Sequence, residues 1–114
     1  MEHERGIDGR ARVCMVTHPA DGATAFARRL VEERLAACVN VLPATSVFRW
    51  EGTVQEDAEC LLVIKTLDSL VGDLERYLRA EHPYDVPECL ALEPASVEES
   101  YLAWMRAETR GSAR

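Results

Sequence analysis

Lysine is almost missing from this chain: Lys65 is the only one, and arginine supplies the remaining basic side chains. With 13 basic against 20 acidic residues the formal net charge is −7. That leaves no basic footprint of the kind that nucleic acid or an anionic membrane rewards, so neither is expected as a partner. Long apolar runs are missing too. None approaches the roughly 18 residues of a membrane span, and the start, Met1-Glu2-His3-Glu4-Arg5, has no apolar core of a secretion signal. The expected location is cytoplasmic. No Cys-x-x-Cys pair occurs: Cys14, Cys38, Cys60 and Cys89 are dispersed, which excludes the common zinc-ribbon and thioredoxin spacings. Each lies in or beside an apolar run, where a reduced thiol behaves as a small buried hydrophobe. Nucleophile-elbow and phosphate-loop patterns are also absent, and no enzymatic activity is expected.

What is present is an ordinary globular composition, 47% hydrophobic and 29% charged over 114 residues, enough for one domain with a modest core. Residues 1–10 read as a polar tail, residues 11–109 as the domain, and residues 110–114 as a frayed end. Ala11 to Thr17 is a first strand, stopped by His18-Pro19. Asp21 or Thr24 is placed to cap a helix whose apolar stripe is Ala23, Phe26, Ala27, Leu30 and Val31, extended by Leu35. Cys38 to Leu42 starts a second strand. Pro43 lacks a ladder donor, which predicts a bulge or bend before the chain resumes at Ser46. Glu51-Gly52 has the composition of a two-residue hairpin turn. Beyond it Ala58, Cys60, Leu62 and Ile64 alternate with Glu59, Leu61, Val63 and Lys65. A second amphipathic helix runs from Asp68 or Ser69, with Leu70, Val71, Leu74, Tyr77 and Leu78 on its apolar side. Glu88 to Glu93 is a short last strand. Ser96 and Glu99 have capping-box spacing ahead of a terminal helix bearing Tyr101, Trp104 and Met105.

The order is β-α-β-β-α-β plus a closing helix: an α+β, ferredoxin-like split βαβ with a long bent β-hairpin and helices on one face of an antiparallel sheet. The hairpin strand is apolar on both sides, and self-association is the economical cover for the face without helices.

The chain turns on His82-Pro83-Tyr84-Asp85-Val86-Pro87-Glu88. Two prolines fix their own φ and make a rigid corner carrying an imidazole, a phenol and two carboxylates. Those groups can bind a metal, move protons, or satisfy a helix end. Imidazole and carboxylate suit Cu(II), Zn(II) or Ni(II), and the candidate donors are His82, Glu88, Asp85 and Glu81, with Cys14 or Cys89. Lys65 closes an otherwise apolar strand and needs a partner. With Trp50 and Tyr84 it can line an intersubunit pocket for a small anion, or it can snorkel to a carboxylate.

Arg34-Leu35-Ala36-Ala37-Cys38-Val39-Asn40, Trp50-Glu51-Gly52, Lys65-Thr66, His82-Pro83-Tyr84 and Pro87-Glu88 together resemble the CutA divalent-cation tolerance family in order and spacing. The resemblance implies a ferredoxin-like subunit in a tight homotrimer, linked to tolerance of copper and other divalent metals. It implies a copper site built from a first-strand thiol, a histidine and a glutamate, of which the histidine maps here onto His82 (or the neighbouring slot, Glu81) and the glutamate onto Glu88. The match departs at the thiol, because Val16 occupies the family position and Cys14 lies two residues earlier. The other readings are a sensor similar to the trimeric PII signalling proteins, binding a small anion between subunits, and a structural trimer with incidental metal binding.

Overall fold

Cys14, Val16 and His18 alternate with Val13, Met15 and Thr17, so one side of the first strand is ready for a core and the other is not. The computed structural model describes residues 9–110 and opens with this strand, β1, at Ala11–Pro19. Next come α1 (Ala23–Glu32), β2 (Cys38–Trp50), β3 (Thr53–Leu67), a 3-10 turn at Asp68–Leu70, α2 (Val71–Glu81), β4 (Leu90–Leu92) and α3 (Glu99–Glu108). The sheet order is β2-β3-β1-β4, antiparallel at every pairing. β1 and β2 therefore run the same way, as do β3 and β4, and a helix joins each pair. This is the α+β, split βαβ arrangement the periodicity predicts.

Register decides the two faces. Cys14 lies opposite Ile64, Val16 opposite Leu62 and His18 opposite Cys60, so these residues share the side covered by α1 and α2. There they pack with Phe26, Leu30, Leu74 and Leu78. A second cluster, Ala11, Leu67, Leu70 and Met105, seats α3 against one end of the sheet. Odd-numbered partners face the other way: Val13 and Met15 of β1, Leu61 and Val63 of β3, and, through the Val13–Leu92 and Met15–Leu90 pairs, the edge strand β4. Leu90 is 56% exposed, Leu92 47% and Leu42 45%. A contiguous apolar surface of this kind marks an interaction face. The β2–β3 hairpin stretches the chain to 49 × 25 × 25 Å and carries Val47, Phe48, Trp50 and Val54, all exposed.

Local details depart from the sequence reading for identifiable reasons. No bulge occurs at Pro43: β2 is continuous, and Pro43 pairs in register with Cys60. As an edge strand, β2 can point a missing N–H away from its single neighbour at no loss to the ladder. Neither Asp21 nor Thr24 caps α1. Gly22, at φ 84°, turns the chain sharply off β1, and its carbonyl accepts from the Phe26 N–H at 2.9 Å. Val31 falls outside the core at 40% exposure. α3 is capped by Glu98 rather than Ser96: its Oε1 accepts from the Tyr101 N–H at 3.0 Å. β4 is shorter than expected because the ladder begins only at Leu90, past Pro87. Most of the expected tail, residues 1–8, and residues 111–114 lie outside the described residues. Gly9 and Arg10 are held to the body: the Gly9 carbonyl accepts from Arg106 Nε at 2.9 Å, and the Arg10 carbonyl from the Asp68 N–H at 2.7 Å. Arg110 is likewise held, donating to the Glu33 carbonyl and carboxylate.

The hairpin turn is as predicted. Trp50 pairs with Thr53 across Glu51 (φ 51°) and Gly52 (φ 85°), both left-handed as a type I′ turn requires. No atom lies within 4 Å of a Cβ built on Gly52, so Gly52→Ala isolates the backbone effect. It should cost about 1–2 kcal/mol in urea unfolding. An unchanged midpoint would mean the turn tolerates a side chain in that conformation.

Candidate functional site

The corner is made where α2 runs into Pro83. His82 is extended (φ −78°, ψ 141°), as a residue preceding proline prefers, while its N–H still closes the helix on the Leu78 carbonyl at 2.9 Å. Its ring then turns inward to 8% exposure. Nδ1 accepts from the Tyr84 N–H at 3.0 Å, so the ring proton sits on Nε2, which donates to the Thr17 carbonyl of β1 at 2.8 Å. Both nitrogens are committed. His18, Phe26 and Tyr84 surround the ring with centroids 5.0, 5.5 and 4.9 Å away. Desolvation lowers the His82 pKa below its ordinary value, reinforced by His18 and opposed by the Thr17 bond and by Glu59. The imidazole is thus held neutral as a strut between α2, the corner and β1.

Tyr84 continues the same construction outward. Its hydroxyl donates to Glu59 Oε1 at 2.8 Å, and burial followed by that carboxylate pushes the phenol up to about 12. Glu59 is buried in turn. Between the corner and the base of the hairpin lies a cavity of about 730 Å³. Phe48, Trp50 and Tyr84 supply its aromatic walls, and Asp57, Glu59, Asp85 and Glu88 its charge. Among the described residues no lysine or arginine lines it.

The structure separates the residues that the sequence grouped. Glu88 lines the cavity, whereas His82 lies inward with both nitrogens engaged. Cys14 is fully buried on the helix side of β1, and Glu81 is exposed at the end of α2. Among the described residues no three His, Cys, Asp or Glu side chains converge on a point where a metal ion fits. His82, Glu88, Cys14 and Glu81 therefore do not form a shell within one chain. Trp50 and Tyr84 do share the cavity, but Lys65 is absent from its lining; its Nζ donates to Asn40 Oδ1 of the neighbouring strand. Glu59 and Asp57 were missed as cavity residues. Their only signal was the acidic run Glu56-Asp57-Ala58-Glu59, which reads equally well as a solvated hairpin.

Comparison with known proteins places this geometry in a family. The family model for CutA1 divalent ion tolerance proteins matches residues 12–108. The chain belongs to that family. It is 46% identical over 99 residues to the divalent-cation tolerance protein CutA of Thermus thermophilus, covering 85% of this chain and 96% of that protein. It is 43% identical over 105 residues to the human protein CutA, covering 90% of this chain but 59% of the human one. It thus spans little more than half the length of that relative, as it does for the Arabidopsis chloroplastic CutA at 55%. The crystal structure of CutA1 from Oryza sativa superposes with a TM-score of 0.84 at 44% identity, covering 88% of this chain and 94% of that one. The family model and the Thermus relative are named for divalent-ion tolerance and not for an enzymatic reaction. Nothing in their names fixes a donor set, so the four cavity carboxylates are the feature of this CutA chain with chemistry to explain.

Proposed function

We propose that this protein acts in divalent-cation tolerance as a cytoplasmic homotrimer that takes up Cu(II) or a similar divalent ion at the corner cavity. The observation that carries the reading is the cavity itself, where Asp57, Glu59, Asp85 and Glu88 face a common space without a counter-cation. Clustered carboxylates in a concave site focus negative potential and raise the local concentration of cations. Glu59 is occupied by Tyr84, which leaves Glu88, Asp85 and Asp57 as free oxygen donors. They do not amount to a shell in one chain, so a second copy completes the coordination. The apolar sheet face and the projecting hairpin, which carries Phe48 and Trp50 beside the cavity, support assembly with neighbouring copies. His82 contributes by positioning the corner. The anion-sensor reading is weaker, because an anion would face four carboxylates and no cation.

Native mass spectrometry with one equivalent of Cu(II) per chain tests the reading. Three ions bound in discrete steps to a trimer are expected, and Glu88→Gln should weaken uptake about tenfold or more, equivalent to ~1.4 kcal/mol. A graded smear of adducts that Glu88→Gln leaves unchanged would sink it.

A further inference from the structure

The corner cavity is larger and more apolar than a single ion requires. Its volume of about 730 Å³ falls within the roughly 300–1,000 Å³ of pockets that take small organic molecules. Strand register builds its floor. Ser46 lies opposite Asp57 and Phe48 opposite Gln55, so Phe48, Trp50, Asp57 and Glu59 share one face of the β2–β3 hairpin. The proline corner supplies the opposite wall through Tyr84, Asp85 and Glu88.

Three properties of this lining go beyond what a point charge uses. The acids are spread out. Asp57 and Glu59 follow each other on one side of β3, roughly 6–7 Å apart, while Asp85 and Glu88 belong to the corner. Among the described residues no three His, Cys, Asp or Glu side chains meet where one ion could be held. The walls between them are aromatic, with Phe48 38% and Trp50 47% exposed. Such rings attract an ammonium to their faces and gain from being covered by methylenes. Glu59, at 7% exposure, accepts from the Tyr84 hydroxyl at Oε1 only; its Oε2 bonds to no described residue and stays open to solvent. A carboxylate oxygen so deeply set and without a donor calls for one.

We propose that the cavity binds an aliphatic diamine or polyamine, with its ammonium groups on the carboxylates of the two walls and its methylene chain against Phe48, Trp50 and Tyr84. An ammonium offers three donors and no acceptor, which suits a lining that is acidic and, among the described residues, free of lysine and arginine. A monoamine satisfies one wall only, and a metal ion makes no use of the rings. The proposal rests on the cation reading in one respect, that the cavity takes positive charge. Amine and divalent ion need the same carboxylates and so exclude each other, which makes polyamine supply a regulator of how much metal the protein holds.

The test is isothermal titration calorimetry of the chelator-treated full chain with cadaverine. Salt at roughly 0.15 M screens diffuse attraction to a surface of net charge −7. Saturable uptake is expected, with pentylamine, of equal length and one charge, bound about tenfold more weakly. Trp50→Leu keeps all four carboxylates and should weaken cadaverine about fivefold while leaving Cu(II) uptake unchanged. Phe48→Leu, on the same strand face, should act alike, and circular dichroism confirms that each variant is folded. The proposal is overturned if cadaverine is not taken up, if it binds no tighter than pentylamine, or if both substitutions leave its affinity unchanged. Cu(II) titrated into the same samples separates the two readings. Cu(II) uptake without cadaverine uptake overturns the amine site alone, whereas cadaverine uptake without Cu(II) uptake supports it and removes the metal.

Discussion

Val63→Glu should convert the proposed trimer to monomers. Val63 lies on the central strand β3, opposite Met15 on one side and Asn40 on the other, in the sheet face turned away from α1 and α2, where α3 reaches only one end. In the free subunit that side chain is partly solvated, so a carboxylate there leaves the fold intact. In an assembly that buries the face, each copy carries an unpaired charge away from water, at a cost of several kcal/mol per site. Summed over three subunits this exceeds what one side chain's apolar contact returns. The measurement is sedimentation equilibrium with circular dichroism. Monomers with native far-ultraviolet spectra are expected, and an intact trimer would mean that this face is not the one copies share.

His82→Ala should be the most destabilising change at the corner, by about 2–4 kcal/mol in denaturant unfolding. It removes a buried ring packed between His18, Phe26 and Tyr84, and it strips the Tyr84 N–H and the Thr17 carbonyl of their partners. The same substitution should change the pH dependence. The native His82 pKa lies below the ordinary value of 6.5, so the unfolded chain takes up its proton first as the pH falls. Stability from this group is complete above 6.5 and is lost progressively as the pH falls from there through the lower native value. Wild type should therefore lose melting temperature between pH 7 and pH 5 more steeply than His82→Ala. Parallel slopes would mean that the ring is not held neutral. If His82 is a strut, this loss is accompanied by little direct change in Cu(II) donors, whereas Glu88→Gln affects uptake with stability nearly unchanged.

The elements were legible because their signals are local. Alternation in Leu61–Lys65 sets strand faces, Phe26 and Leu30 set a helix stripe, and Glu51-Gly52 sets a turn, each over a few residues. Errors arose where a local signal had an alternative that depends on neighbours. Pro43 reads as a break unless its strand is known to lie at an edge, and Asp21 reads as a cap unless Gly22 is known to turn left-handed. The five linked motifs were legible as a family pattern, and the fold and the family both follow from them.

The chain's own order of residues determined the βαββαβ topology, the hairpin and the proline corner, since each rests on backbone stereochemistry or on periodic burial, and its composition determined the negative charge. Only the tertiary structure decided what the corner does. His82 is engaged by Thr17, 65 positions away, and Tyr84 by Glu59, 25 positions away; Lys65 points along the sheet to Asn40 instead of into the cavity. Cys14 lies opposite Ile64 on one side and Ala91 on the other because β1 pairs with β3 and β4 in one register and not another. A one-residue slip would turn each strand side chain to the opposite face. Site chemistry depends on that register, which is set by packing between distant segments and leaves no mark in any short stretch of sequence.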